Sequence, residues 1–356
     1  MSRRFSRWIF GFGLAIAAQL VIPTALRANP ELDALLQQGN EAVQNQNFAM
    51  AIERYADAAQ LETDNARIYS GLGYAHAQLG NFQEAAIAYQ RAVQLENDNP
   101  QFYQALGFSL GNSGDYTNAI NAYSRAVELK PDNVDFNLGL ATVFFRSGRY
   151  EQALSAYQRV LQLNPNNTDA TRNSIASLLQ LRRNQDAVAL LDNAFRKLPT
   201  DGDLRVQAAV TWFGLGDKDK AIAFLDEARR LSPRDFKVQL KVARIYENQQ
   251  IYVEAIHAFQ RATELNPQST EALEGLGSAA FKDNDYLIAI IAYRQLSELT
   301  PNDPNAYEKL GLSFQGRNRS AEAIEALETA KNLYRLQNNK QGERKIDALI
   351  AAITDS

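Results

Sequence analysis

Cysteine is absent from this 356-residue chain, and histidine occurs only twice, as His76 and His257. Without cysteine the chain has no disulfide, no thiolate metal site, no cysteine nucleophile and no lipoprotein anchor. Neither histidine belongs to a His-Glu-x-x-His pair, and no Gly-x4-Gly-Lys phosphate loop is present. His76 is expected in the core and His257 on the surface. We therefore predict a chain that is not an enzyme and needs no cofactor.

A basic surface is also missing. The formal net charge is −4, with 46% hydrophobic and 22% charged residues, which is ordinary for a folded soluble protein. Nucleic-acid-binding domains concentrate positive charge instead. This balance argues against nucleic acid as a partner.

The first 28 residues differ from the rest of the chain. Arg3, Arg4 and Arg7 precede an uncharged, mostly apolar run over residues 8–26, and Ala28 supplies a small residue after it. This order predicts a signal peptide over residues 1–28 and a periplasmic or secreted protein, although Leu26 departs from the usual small residue. If cleavage fails, residues 8–26 are long enough to anchor the chain in a membrane, facing the periplasm.

Beyond residue 28 the sequence repeats with a period of 34. Proline cannot continue a helix, and it recurs at this spacing. The prolines are Pro131, Pro165, Pro199, Pro233, Pro267 and Pro301. Alanine recurs at Ala51, Ala85, Ala119, Ala153, Ala187, Ala221, Ala255, Ala289 and Ala323. A repeat this regular predicts a stack of identical supersecondary units.

The third repeat shows the pattern most fully, with Leu106-Gly107, Ala119, Tyr123, Ala126 and Pro131. This spacing resembles the tetratricopeptide repeat. The resemblance implies an all-α, right-handed α-solenoid of nine helix pairs, the first helix over about positions 1–14 of each repeat and the second over positions 18–31. Residues 29–337 hold the nine repeats, and residues 338–356 hold a C-terminal capping helix, predicted over about 343–353. The repeats are 32–65, 66–99, 100–133, 134–167, 168–201, 202–235, 236–269, 270–303 and 304–337.

Small and bulky residues alternate within each predicted pair. A glycine such as Gly107 in the first helix should let the second helix approach closely, and an aromatic such as Tyr123 should fill the gap. The fifth to seventh repeats depart from this pattern at Ile175, Asn184, Arg205 and Lys218. Either a specialised surface or ordinary sequence drift could explain the departure.

In repeats of this kind the first helices line a concave groove. The resemblance places positions 2, 5, 9, 12 and 13 of each repeat there, and apolar side chains beside arginines suit a bound peptide or helix. Individual residues could instead pack between first helices. The predicted groove residues are Arg67, Tyr74, Gln104, Phe108, Leu138, Phe145, Arg146, Arg172, Leu179, Val210, Phe213, Lys237, Leu240, Arg244 and Phe281.

Acidic residues gather between the repeats. Asp and Asn before a helix satisfy its free N–H groups and suit the positive end of its dipole, so capping is the simplest reading. The alternative is a weak oxygen-ligand metal site, with Asp201 and Asp203 as its most concentrated candidates.

The predicted function is an exported scaffold that binds a partner protein or peptide, most simply an assembly factor. The combination of an export signal, nine repeats and no cysteine is similar to the periplasmic tetratricopeptide factors of cyanobacterial photosystem II assembly. That resemblance implies a role in D1 maturation with weak manganese binding. The alternatives are a structural subunit of an envelope secretion, pilus or polysaccharide-export machine, and, from another class, an enzyme regulator or enzyme.

Overall fold

A computed structural model of the chain describes residues 29–354. The predicted signal peptide over residues 1–28, with its apolar run at 8–26, lies outside the described residues. Within residues 29–354 the regular structure is entirely helical, in nineteen helices. None of these helices combines the length and the apolar character needed to cross a membrane.

The helices form nine consecutive pairs and one final helix. In chain order they are α1 (Pro30–Gln44), α2 (Phe48–Leu61), α3 (Ala66–Gln78), α4 (Phe82–Leu95), α5 (Pro100–Ser113), α6 (Tyr116–Leu129), α7 (Val134–Arg146), α8 (Tyr150–Leu163), α9 (Thr168–Gln180), α10 (Asn184–Lys197), α11 (Gly202–Gly214), α12 (Lys218–Leu231), α13 (Phe236–Asn248), α14 (Tyr252–Leu265), α15 (Thr270–Lys282), α16 (Tyr286–Leu299), α17 (Pro304–Gly316), α18 (Ser320–Leu336) and α19 (Lys340–Thr354). The predicted all-α fold of an α-solenoid, with a helix after the last repeat, is confirmed.

Helix boundaries repeat in the predicted register with small shifts. The second helices occupy positions 17–30, one residue earlier than predicted, because position 16 is the N-cap and position 17 is already helical. The last pair has Arg335 at the position of the recurring proline, and its second helix α18 continues to Leu336. The final helix α19 begins at Lys340, three residues before its predicted start.

The residue at position 34 of each repeat caps the next first helix. At all eight boundaries between repeats its side-chain oxygen accepts a hydrogen bond from a backbone N–H in the first turn. These residues are Asn65, Asn99, Asn133, Asn167, Asp201, Asp235, Ser269 and Asp303. At these positions the capping role predicted for the residues between repeats is therefore observed.

The turn inside each pair requires a left-handed residue at position 15. Gly80, Gly114, Gly148 and Gly216 have positive φ there, which glycine adopts without steric cost. The other pairs place non-glycine residues in the same conformation: Gln46, Arg182, Gln250, Asn284 and Asn318. The turn geometry is thus kept even where its favoured residue is missing.

The helices form two compact units, the first ending at Leu129 and the second beginning at Lys130. The first unit contains α1–α6 and the second α7–α19. Within each unit a second helix packs on its own first helix and on the first helix of the next pair. The register alanines, such as Ala51, Ala85 and Ala153, are fully buried at these contacts.

Close approach within a pair depends on the small residue of the first helix. A Cβ added at Gly107 would lie 2.6 Å from Cδ2 of Tyr123, and one added at Gly73 would lie 2.7 Å from Cδ2 of Tyr89. Both distances are shorter than two non-bonded carbon atoms can approach without one of them moving. The predicted close approach of the two helices at the glycine is therefore confirmed, and the aromatic ring packs against the glycine of its own pair.

Candidate functional site

In each compact unit the side chains at positions 2, 5, 9, 12 and 13 of the first helices form a candidate site, called here the first-helix face of that unit. In the first unit this face includes Arg67, Tyr74, Gln104 and Phe108. The Tyr74 ring packs edge-on against Phe48, with centroids 6.3 Å apart, and Phe108 packs edge-on against Phe82 at 6.0 Å. Phe48 and Phe82 begin the second helix of the preceding pair, so each aromatic of the face is braced by a neighbouring pair.

Exposure and charge vary along the first-unit face. Tyr74 and Phe108 are half-buried, and burial raises the pKa of the Tyr74 phenol. Arg67 is exposed and has no ion pair with any residue in the described range. A free guanidinium therefore lies on the same face as two braced aromatic rings.

In the second unit the face carries further half-buried apolar side chains. Phe145 packs edge-on against Tyr150 at 5.4 Å, and Phe281 against Tyr286 at 5.5 Å. These rings are braced from within their own pair. Leu179, Phe213 and Leu240 are also half-buried and border the core. Val210 is 38% exposed, so part of its side chain is open to contact.

Leu138 is the exception among the predicted groove residues. It is only 7% exposed and packs with Ala141, Ala153 and Tyr157 in a hydrophobic cluster of the second unit. A side chain this buried stabilises the pair and cannot contact a ligand. The prediction that Leu138 is a groove residue is therefore wrong. Position 5 of the repeat predicts the direction in which a side chain points but not how deeply it is buried.

Arg172 is held by carboxylates of its own chain. Its guanidinium lies 2.7 Å from Asp169 and 2.7 Å from Asp201, and its side chain is largely buried. Burial acts to lower the pKa of Arg172, but the two carboxylates outweigh it and keep that pKa above its usual value. Arg172 therefore links α9 to the start of α11.

Arg244 belongs to a second network, between α13 and α15. It lies 3.2 Å from Glu247 and 3.7 Å from Glu271. Glu247, with a side chain only 9% exposed, also accepts hydrogen bonds from Ser278 at 2.8 Å and Lys282 at 3.2 Å. These bonds tie two first helices together across the face.

The two remaining predicted cations differ. Lys237 is exposed and forms no ion pair with any residue in the range 29–354. Arg146 is half-buried. Burial raises the pKa of Tyr157 to about 12, and the positive charge of Arg146 acts to lower that pKa. Lys237 is thus accessible for binding, whereas Arg146 also affects the buried tyrosine of its own pair.

The candidate metal residues are already engaged. Asp201 caps α11 through the backbone N–H of Leu204 and pairs with Arg172, while Asp203 lies 2.7 Å from Lys241. Among the described residues no three His, Cys, Asp or Glu side chains converge as a metal ion would require. The carboxylates at this spot link α9, α11 and α13 instead.

The two histidines lie in different environments. His76 is half-buried, and its pKa is lowered by that burial, with Glu84 acting in the opposite direction. His257 is exposed, with Nδ1 3.7 Å from the Glu254 carboxylate. His76 is therefore less buried than the core position predicted for it, whereas His257 lies on the surface as predicted.

Sequence reasoning singled out Arg205 but missed that position 4 holds a buried polar residue in each of the fourth to seventh repeats. Each donates a hydrogen bond to a carbonyl in the segment just before its helix: Asn137 to Pro131, Thr171 to Asn167, Arg205 to Pro199 and Gln239 to Ser232. Arg205 also lies 2.9 Å from Glu227, with its guanidinium 3.9 Å from the centre of the Phe195 ring. The signal was the absence of an apolar side chain at this position in four successive repeats.

The second helices also carry an arginine with a structural role at position 26. Arg91 donates to the Thr63 carbonyl, Arg159 pairs with Asp132 at 2.7 Å, and Arg261 donates to the Pro233 carbonyl. Each therefore ties a second helix to the loop that precedes its pair. The repeat spacing of these arginines was visible in the sequence.

Comparison with known proteins identifies the family. Residues 26–279, more than half of the chain, match the family described as the cilia and flagella-associated protein 70 C-terminal domain, a tetratricopeptide-repeat domain. The chain belongs to the tetratricopeptide-repeat family. Proteins of this family are generally non-enzymatic scaffolds for protein interactions.

Two individual similarities agree with this assignment. A tetratricopeptide repeat-containing protein of Picosynechococcus sp. is 54% identical over 80 residues, which is 22% of this chain and 21% of that relative. The matched segment thus spans about a fifth of the relative's length. A tetratricopeptide repeat protein from Parabacteroides merdae has a solved structure with a TM-score of 0.58 and 17% identity, covering 70% of this chain and 99% of that one. The latter similarity concerns the fold alone.

Proposed function

We propose that this tetratricopeptide-repeat protein is a scaffold, in which each unit holds a segment of a partner protein against its own first-helix face. The observation that carries the proposal is the set of braced, half-buried aromatic rings: Tyr74, Phe108, Phe145 and Phe281. Rigid aromatic anchors lose little conformational entropy on binding, so they are efficient contacts for a peptide.

The charges of the face divide into two groups. Arg172 and Arg244 are neutralised by carboxylates of the chain and position the first helices. Arg67 and Lys237 are exposed and unpaired with the described residues, so they would attract acidic side chains of a partner. The proposed ligand is therefore a segment with apolar side chains beside acidic ones.

The working environment of the scaffold is also a proposal. The order of charged, apolar and small residues over 1–28 supports export to the periplasm or beyond. Sequencing the N-terminus of the mature protein tests this, with a start near Asn29 expected. A full-length, membrane-bound chain would contradict cleavage and favour the anchored alternative.

Within that environment we propose an assembly factor, with photosystem II biogenesis as the candidate process. The support is the resemblance in repeat number, export signal and absence of cysteine. Because Asp201 and Asp203 are held by cations of the chain, the proposed role is protein binding alone, without manganese. Co-purification of photosystem II subunits with the full chain from native membranes is the expected result. Their absence among specific partners would contradict this process while leaving the scaffold proposal testable.

Charge-reversal variants test the first-helix face. Full-length protein carrying Arg67→Glu or Lys237→Glu is used to capture partners from a native envelope extract, with quantitation by mass spectrometry. Both residues are exposed and unpaired, so the melting temperature should stay unchanged while specific capture falls several-fold. Arg230→Glu, at an exposed position on α12, is the matched control. Capture that is unaffected by both face variants would contradict the proposal.

A further inference from the structure

Glu247 is a nearly buried carboxylate on the first-helix face of the second unit. It occupies position 12 of the seventh repeat, and its side chain is only 9% exposed. The three repeats before it and the one after it have bulky apolar side chains at this position. These are Phe145, Leu179, Phe213 and Phe281. The repeat fold therefore does not require a carboxylate here, since neighbouring repeats pack without one.

Three donors from two helices converge on this carboxylate. Its Oε1 accepts hydrogen bonds from the Ser278 hydroxyl at 2.8 Å and from the Lys282 ammonium at 3.2 Å. Its Oε2 lies 3.2 Å from the Arg244 guanidinium. Arg244 belongs to α13, whereas Ser278 and Lys282 belong to α15. The two helices together thus form a set of donors that fits one carboxylate group.

Both cations of this set are accessible, although Glu247 is not. The side chain of Arg244 is 36% exposed and that of Lys282 is 47% exposed. A guanidinium carries five N–H donors and an ammonium three, so Glu247 uses only part of their capacity. Phe281, one of the braced rings of this face, directly precedes Lys282 in the chain. An acidic side chain next to an apolar one can therefore reach the cations and the ring together.

The charges of α13 and α15 on this face balance one another. Their face positions carry three cations and three carboxylates, namely Lys237, Arg244, Lys282, Glu247, Glu271 and Glu274. Glu271 lies 3.7 Å from Arg244, whereas Glu274 is exposed and forms no ion pair with any residue in the range 29–354. Of these three carboxylates, Glu247 alone contacts both Arg244 and Lys282. Neutralising Glu247 would therefore leave this part of the face positively charged.

We propose that Glu247 is an internal competitor for an acidic side chain of the bound segment. In the free protein its carboxylate neutralises Arg244 and Lys282, and in the complex a carboxylate of the partner replaces it. This inference rests on the proposed function and names where the acidic side chain of the partner binds. The displaced Glu247 loses three donors, which costs free energy and weakens binding. The competition thus lowers the affinity for acidic segments and favours their release.

Fluorescence anisotropy with the full-length chain tests the proposal. The probes are two labelled hexapeptides, one of alternating leucine and glutamate and the other of alternating leucine and glutamine. Glu247→Gln should tighten binding of the glutamate peptide by about fivefold or more, because the new amide still accepts from Ser278 and Lys282 but no longer neutralises the two cations. Binding of the glutamine peptide should change by less than about twofold.

Glu274→Gln is the matched control. It removes the same charge from the same face, but Glu274 forms no ion pair with Arg244 or Lys282. This variant should change the affinity for the glutamate peptide by less than about twofold. Equal tightening by Glu274→Gln and Glu247→Gln would show that only the overall charge of the face matters, and it would overturn the proposal.

Ser278→Ala provides a second variant in case Glu247→Gln is too unstable to titrate. It removes one donor from Glu247 and leaves both cations in place, so it should tighten binding of the glutamate peptide by about twofold. Arg244→Gln should weaken that binding, because it removes one of the two cations. Binding by Ser278→Ala that equals or falls below that of the wild type would contradict the competition.

The outcomes separate this inference from the proposed function. Wild-type binding of the glutamate peptide that Glu247→Gln leaves unchanged would overturn the inference alone. Tighter binding by Glu247→Gln, with no effect of Arg67→Glu or Lys237→Glu on partner capture, would support the inference and contradict the role proposed for those two cations. Absence of peptide binding by the wild type and by every variant would overturn the inference, while partner capture still decides the proposed function.

Discussion

Gly107 offers a direct test of how tightly the two helices of a pair approach. In Gly107→Ala the new methyl group would meet the Tyr123 ring at 2.6 Å. Overpacking costs about 1–3 kcal/mol, and the better helix propensity of alanine returns about 0.5–1 kcal/mol. We expect a net loss of about 1–2 kcal/mol in the free energy of unfolding, measured by urea denaturation.

The fourth repeat supplies the matched control for this substitution. Ala141 occupies the equivalent position there. It is fully buried and packs in the same hydrophobic cluster as Tyr157. Ala141→Gly should also destabilise, because it removes a buried methyl group and adds backbone freedom. Stabilisation by Gly107→Ala would show that the Tyr123 ring moves aside without cost.

Adjacent glutamines in the turn between α13 and α14 test the left-handed position. Gln250 has φ of 59°, whereas Gln249 has φ of −87°. A left-handed conformation costs a residue with a side chain about 1–2 kcal/mol, so Gln250→Gly should stabilise by up to about 1 kcal/mol after the entropy of glycine is counted. Gln249→Gly should destabilise the protein. Equal changes in melting temperature for the two variants would contradict the interpretation that the left-handed conformation of Gln250 costs stability.

The position of a residue in the repeat predicts the direction of its side chain better than it predicts which residues that side chain contacts. The glycine–aromatic fit and the left-handed turn followed from local spacing, because both depend on neighbours at fixed sequence distances. Leu138 was misassigned because its depth depends on how the surrounding helices pack. Arg172 was identified as a residue of the first-helix face, but its link to Asp201 joins residues 29 positions apart that no short motif connects.

At the scale of helices, ion pairs on the first-helix face join successive pairs of the second unit. Glu247 of α13 provides the clearest case, since it receives Ser278 and Lys282 of α15. Burial acts to raise the pKa of Glu247, but these donors and Arg244 outweigh it and hold that pKa below its usual value. A lowered carboxyl pKa stabilises the fold above the unfolded pKa, and this contribution is lost as the pH falls through the folded value.

The lowered pKa of Glu247 predicts how the effect of Glu247→Gln on stability depends on pH. At pH 7 the variant should lose about 1–3 kcal/mol of unfolding free energy, because charge-assisted hydrogen bonds are replaced by weaker ones. The difference from wild type should shrink as the pH falls below about 4.5, the usual range for glutamate. Urea titrations from pH 7 to pH 3 measure it.

The control lies on the neighbouring second helix α14. Glu264 pairs with Arg261 at 2.7 Å, but both side chains are well exposed. Surface pairs of this kind contribute little, so Glu264→Gln should change stability by less than about 0.5 kcal/mol. A Glu247→Gln effect that is equally small, or that does not vary with pH, would contradict the structural role of the network.

The positions of the helices were the feature of this protein that the sequence predicted best. Proline spacing and the caps at position 34 determine where first helices begin, because both act through the backbone within a few residues. The predicted caps, turns and register therefore agree with the structure to within a few residues. Sequence could not predict that Arg172 and Arg244 are paired while Arg67 and Lys237 form no ion pair with the described residues, since pairing depends on which acids the neighbouring helix pairs bring close.

At the scale of a whole unit, packing along the second unit is uneven. Contacts between α10 and α11, and between α12 and α13, are sparser than those between α8 and α9 or α14 and α15. Near the sparse contacts, Arg205 and Gln239 are buried where the first three and the last two pairs place aliphatic or aromatic side chains. Buried polar groups contribute less than apolar packing, so we infer that the middle of this unit opens more readily than its C-terminal part.

Hydrogen exchange provides the measurement. In an array of repeats each pair depends mainly on its neighbours, so local opening is set by the interfaces on either side. Amides of α10–α12 should exchange faster than those of α14–α17 under native conditions, and Gln239→Leu should slow the exchange of α10–α12, because apolar packing replaces a buried polar side chain. Gln239 donates hydrogen bonds to the carbonyls of Arg229 and Ser232, and after the change the Ser232 carbonyl still accepts a hydrogen bond from the Asp235 N–H at 3.2 Å. Uniform protection from α7 to α18 would show that polar contacts hold the middle pairs as firmly as the apolar core holds the others.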